Sequence, residues 1–143
     1  MKKIKINQII SGICGYLFSL SCFAQVAVVA SAKSEIPTLT RDQVAALYTG
    51  NSFTFPNGSS ATLLDQSESN EVRKLFYGKV TDKSASQIKS TWSRLTFSGK
   101  GTPPKEMANS AEVKKQVATN PNAIGYIEKN AVDGSVKVIF SAD

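Results

Sequence analysis

The stretch from Ala61 to Val80, ATLLDQSESNEVRKLFYGKV, gathers side chains suited to chemistry: the Ser67 and Ser69 hydroxyls, the Asn70 amide, the Arg73 guanidinium and the carboxyls of Asp65, Glu68 and Glu71. An apolar run before it and a helical repeat after it predict a buried strand, a polar turn and a helix opening at Ser69 or Asn70. Such a turn aims the first N–H groups of the helix, and the positive end of its dipole, into the space above the sheet edge. That setting suits an anion, so Ser67, Ser69, Asn70 and Arg73 are the candidate ligand-binding residues. No glycine lies between Leu64 and Gly78 to let an anion approach the backbone closely. Arg73, the nearest cation, is within reach of Glu68 or Asp65, an arrangement that leaves the turn nearly neutral. The anion site is therefore expected to be weak or altered.

Other chemistries are excluded by composition. The chain has no histidine, and its two cysteines, Cys14 and Cys22, lie near the amino terminus. Thiol and imidazole catalysis, zinc sites and disulfides are thus ruled out beyond residue 24. Neither GxGxxG nor GxxxxGK[ST] occurs, and no motif sets a nucleophile beside a base. No catalytic, metal or cofactor-binding residue is assigned, and the chain reads as a non-enzyme.

The first residues read as an export signal. Lys2, Lys3 and Lys5 form a charged start, and Ile9 to Phe18 form an apolar run interrupted by Gly12 and Gly15, too short to span a bilayer. Small residues at Cys22 and Ala24 fit cleavage after Ala24, leaving 119 of the 143 residues, enough for one domain with one core. Residues 1–24 are read as signal peptide and 25–143 as the domain, with no membrane span in the mature chain and a periplasmic destination. Lipidation of Cys22 is the alternative, although Ser19 stands where a lipobox prefers an aliphatic residue. Three of the 17 basic residues and none of the 11 acidic ones fall in the leader, so the domain carries 14 against 11, net +3. The lysines are interspersed with acids and no aromatic platform accompanies them, which excludes a nucleic-acid face.

The elements that position the turn follow from local pattern. Gln25 to Ser31 is a continuous apolar run, as in a central strand covered on both faces. Thr40-Arg41-Asp42-Gln43 forms a capping box opening a helix to about Tyr48, with Gly50 as its left-handed end. Asn51 to Phe55 and Ala61 to Leu64 flank Pro56-Asn57-Gly58-Ser59 and predict a hairpin or close strand pair. In the helix after the central turn, Val72, Leu75, Phe76 and Val80 face the core, while Arg73 and Lys74 point away or along the turn. Ser84 to Gln87 is a second capping box, and Ile88, Trp92 and Leu95 form the apolar stripe of its helix. Phe97 to Lys105 is a loop. Ser110 caps a further helix with Val113 and Val117 inward. Asn122 to Glu128 is a strand in which Gly125 marks a bulge or a close backbone approach. Asp133-Gly134 turns into a last strand, Val136 to Phe140. The order β, α, β, β, α, α, α, β, β fits an α/β sandwich.

In VAVVASAKSEIPTLTRDQVAALYTG, WSRLTFSGKGTPP and NPNAIGYIEKNAVDGSVKV, the chain resembles the phosphate ABC-transporter substrate-binding family, the type II periplasmic binding proteins, from Gln25 to about Phe140. The resemblance implies a single-lobe α/β fold, a three-layer or two-layer sandwich with a mixed sheet, and weak binding of phosphate or another small oxyanion. Full-length receptors of this family have two lobes closing on phosphate, and this chain resembles only the second. The family's phosphate turn is an arginine followed by an Asp-Gly-Ser-Gly-Thr-like run. Placed here, its arginine falls near Asp65 or Gln66, its aspartate near Glu68, its serine near Asn70 and its threonine near Val72, so only the acidic position is kept in kind. A single lobe also leaves an open face for a protein partner or a second copy. Tyr48, Tyr77 or Tyr126 exposed above the strand ends would favour that docking role.

Intact-mass measurement on exported material is expected to give a chain beginning at Gln25. Retention of residues 1–24, or lipid on Cys22, would contradict the leader assignment.

Overall fold

The computed structural model describes residues 25–143. The leader, its cleavage after Ala24 and lipidation of Cys22 lie outside the described residues. Five strands form one mixed sheet: β1 (Val26–Ser31), β2 (Thr62–Gln66), β3 (Lys105–Met107), β4 (Ala123–Glu128) and β5 (Val136–Ala142), in the order β3-β2-β4-β1-β5. β2 pairs in parallel with both β3 and β4, whereas β1 runs antiparallel to both β4 and β5. Only β1 therefore opposes the direction of the others.

β1 buries all six of its residues, so alternate side chains feed two cores. Val26, Val28 and Ala30 meet α1 (Arg41–Tyr48), α2 (Glu71–Thr81) and α3 (Ala85–Phe97) on one face. Ala27 and Val29 meet Val113 and Val117 of α4 (Ser110–Thr119) on the other. The sandwich has three layers. Both capping boxes form as expected, Thr40 with Gln43 and Ser84 with Gln87, and Gly50 takes φ 75° just past α1. Trp92 is buried, and its indole N–H donates to the Tyr48 carbonyl at 3.0 Å, which fastens α3 to the end of α1.

Several local expectations are corrected. The pair around Pro56 to Ser59 closes as expected but stays short: Thr54 and Ser60 make an isolated antiparallel bridge, the Phe55 N–H donates to the Ser59 carbonyl at 2.9 Å and the Ala61 N–H to the Phe53 carbonyl at 3.1 Å, and the residues before Pro56 do not join the sheet. Lys105, the last residue of the expected loop, instead opens β3 with Glu106 and Met107, an edge strand of three residues, too short for a period-two pattern to show. Asn109, not Ser110, caps α4, its side chain accepting from the Glu112 N–H at 3.0 Å. Leu75 is only half-buried, while Arg73 and Tyr77 join the inward face of α2.

Gly125 marks a close approach rather than a bulge; the irregularity of the sheet lies at Val28/Val29 opposite β5. A Cβ at Gly125 would stand 2.4 Å from Val113 Cγ1 and 3.3 Å from Leu64 Cβ, so α4 sits on β4 at a distance only glycine permits. Gly125→Ala is expected to destabilise the domain by about 1 to 3 kcal/mol through overpacking. In a denaturant double-mutant cycle with Val113→Ala the two costs should fall short of additive; strict additivity would mean that the contact does not set the helix–sheet spacing.

Candidate functional site

Two helices begin where the parallel strands end. β2 hands the chain to α2 and α3 on one face of the sheet, and β3, its neighbour, hands it to α4 on the other. Adjacent strands whose connections leave toward opposite faces open a crevice at their carboxyl ends, the usual ligand position of an open α/β sheet. A crevice of about 390 Å³ lies there, lined by Gln66, Ser69, Asn70 and Glu71 on the β2 side and by Asn109 and Ser110 at the start of α4. The backbone N–H groups of Glu71, Val72, Ser110 and Ala111 have no acceptor among the described residues, as expected for the first positions of two helices. The Asn70 amide braces the crevice by donating to Gln66 Oε1 at 3.2 Å and to the Ala108 carbonyl at 3.0 Å. Gln66 in turn donates to Ser110 Oγ at 3.1 Å and to the Tyr126 carbonyl at 2.9 Å.

Strand alternation sends Asp65 to the opposite face from Gln66. There its carboxyl accepts from the Tyr77 hydroxyl at 2.7 Å, the Gln66 N–H at 2.8 Å, Arg73 Nε at 3.3 Å and the Tyr126 hydroxyl. Arg73 and Asp65 side chains are each 9% exposed, so this ion pair is held among side chains rather than in water. Arg73 Cζ lies 4.9 Å from the centre of the Tyr77 ring, and Phe76 stacks on Tyr126 at 4.1 Å. Burial, reinforced by the Asp65 charge, raises the phenols of Tyr48, Tyr77 and Tyr126 above their ordinary value. Burial pulls the Arg73 guanidinium down, but attraction to Asp65 and the tyrosines outweighs it and leaves the group raised.

The four residues expected to share a site are thus divided. Ser69 and Asn70 border the crevice, Ser67 pairs its hydroxyl with that of Ser69 at 3.1 Å, and Arg73 lies across the strand in a separate groove. Arg73 does not point away from the core as the helical repeat implied; it is buried against Asp65. Tyr48, Tyr77 and Tyr126 are buried too, and so offer no docking face. Sequence reasoning missed the α4 side of the crevice, Asn109 and Ser110, because β3 was not recognised. Gln66 could have been found from the period-two alternation of Leu64 and Gln66.

No family model matches the chain, and no curated protein matches it. Solved structures do. The class is the periplasmic-binding-protein fold, of which the chain has one lobe. More particularly, it is similar to a phosphate ABC transporter substrate-binding structure from Clostridium perfringens that holds phosphate, with a TM-score of 0.65, 22% identity, and coverage of 81% of this chain and 45% of that one. An ABC-type phosphate transport receptor from Vibrio cholerae gives 0.63 and 20%, covering 81% and 46%; PstS from Borrelia burgdorferi gives 0.58 and 14%, covering 81% and 47%. The chain spans a little under half the length of these structures, and the likeness is one of fold.

The raised phenols set an alkaline limit. Because folding holds these protons above the unfolded value of about 10, the stability they contribute is complete below pH 10 and declines as pH rises past it. Absorbance of phenolate and loss of circular dichroism are expected to appear together, above pH 10, in one transition. Phenolate forming near pH 10 in a folded domain would contradict the burial of all three.

Proposed function

We propose that the chain is an exported, periplasmic, non-enzymatic domain of the solute-receptor type whose anion site is weak or altered. The site would be the strand-end crevice, with Ser69 as the side-chain ligand residue, Ser67 supporting Ser69, Asn70 bordering the crevice while both hydrogens of its amide brace the walls, and phosphate or another small oxyanion as the ligand. The observation that carries this is the separation of Arg73 from the crevice and its pairing with Asp65. Only the helix termini and the Ser69 hydroxyl then face the anion, each terminus contributing about 0.3 to 1 kcal/mol. Against them stand the Glu71 and Glu128 carboxyls of the lining, each repelling a like charge by about 1 kcal/mol at 4 Å in water and more when partly buried. No helix among the described residues is long and apolar enough to cross a membrane.

A second reading, a periplasmic protein-interaction or regulatory module that binds no small ligand and docks a protein or its own copy, is favoured by the exposure of Phe97 (96%) and Phe53 (47%). Calorimetric titration separates the two. Phosphate is expected to bind in the millimolar range, about −4 kcal/mol or weaker, and Glu71→Gln, which removes a carboxylate of the crevice lining, should strengthen it. Micromolar binding by the unmodified protein would overturn the weak-site assignment. Complete absence of binding, with a solution mass above that of one chain, would favour the docking module.

A further inference from the structure

Beside the crevice, and sharing no lining residue with it, is a groove of about 540 Å³ between α3 and the loop leading into β3. Its volume falls in the range of about 300 to 1,000 Å³ common to small-molecule sites. Ile88 and Trp92 give it an apolar floor, and Phe97 stands at its margin almost fully exposed. Unlike an ordinary apolar hollow, it is lined by ionisable groups of both signs. Arg73 borders it with a side chain only 9% exposed. The Nε of Arg73 is engaged by Asp65, yet neither Nη has an acceptor among the described residues. No buried side-chain nitrogen or oxygen among those residues lacks a partner, so the Nη groups are not sealed from solvent, and Arg73 is among the residues that line the groove. Asp65 itself already accepts from three side chains and one backbone N–H. Glu68, Glu106 and Lys89 also line the groove, are exposed, and form no ion pair among the described residues.

We infer that this groove binds a zwitterionic amino acid with an apolar side chain. The carboxylate meets the free Nη edge of Arg73, a planar pair of donors suited to a carboxylate. The ammonium faces Glu68 and Glu106, and the side chain lies on Trp92 and Ile88. Each part of the ligand answers a separate feature. An inorganic dianion would meet three carboxyls against two cations, Arg73 and Lys89, and leave the apolar floor uncovered, and a simple cation would leave the Nη donors unmatched. An uncharged hydrophobe would use neither.

Trp92 is the only tryptophan, so its fluorescence reports the groove directly. Titration of the domain with L-phenylalanine, followed by Trp92 emission and by calorimetry, is expected to be saturable. 2-Phenylethylamine, which lacks the carboxylate, and 3-phenylpropanoate, which lacks the ammonium, should each bind about tenfold or more weakly, the loss expected for one hydrogen bond to a charged group. Glu68→Gln changes an exposed side chain and should weaken phenylalanine without altering the melting curve; Arg73→Ala is set aside because it strands Asp65. No saturable response up to about 10 mM phenylalanine, a limit near −3 kcal/mol, would overturn the inference. So would equal binding of all three compounds, or displacement of phenylalanine by phosphate. Phosphate binding that leaves Trp92 emission unchanged would keep the crevice proposal intact whatever phenylalanine does.

Discussion

One buried carboxyl organises this domain. Asp65 sits near the end of β2 beneath α2, where a lone charge would be costly to desolvate, and four donors from α2, β4 and β2 itself converge on it. A buried ion pair is poor grounds for high stability, since apolar replacements often do as well. Its effect lies in geometry. Arg73 and Tyr77, four residues apart on α2, both reach Asp65, which fixes the roll of that helix; Tyr126 reaches it from β4, which fixes the helix against the sheet. The rings of Tyr48, Phe76, Tyr77 and Tyr126 then close around one another, with centroids 4.1 to 6.2 Å apart.

This arrangement decides what each side of β2 offers a ligand. Pairing with Asp65 takes the most useful cation away from the helix N-termini, so the crevice has hydroxyls, amides and free N–H groups but no guanidinium. The same pairing leaves the outer edge of Arg73 beside the apolar wall of α3. Two hollows of different chemistry result from the alternation of two consecutive side chains, Asp65 and Gln66.

Legibility in the sequence followed the range of the interaction. Capping boxes at Thr40 and Ser84, the inward stripe of α3 and the left-handed Gly50 depend on neighbours within four residues, and all were readable. The central placement of β1 was readable because a strand covered on both faces has a distinctive composition. What failed depended on distant partners. β3 exists because β2 offers it an edge, not because Lys105-Glu106-Met107 favours a strand. Arg73 falls on a position the helical repeat treats as outward, but a carboxyl 8 residues earlier draws it in. Tyr48, Tyr77 and Tyr126 would have favoured a docking face had they stood exposed above the strand ends; they are buried, and inside, two of their hydroxyls find Asp65 and the third the Leu64 carbonyl.

The charge at the strand ends runs against the charge of the domain. Although basic residues outnumber acidic ones, Glu68, Glu71, Glu106, Glu112 and Glu128 stand at the carboxyl ends of β2, β3 and β4 or in the first turns of α2 and α4. Acids in a first turn are favourable for the helix they begin, by a few tenths to one kcal/mol each. They draw on the same field from free N–H groups that a bound anion would need. Local helix stability and anion affinity therefore compete for one resource at this rim, and here the covalently attached carboxylates, present at effectively unlimited concentration, hold it first.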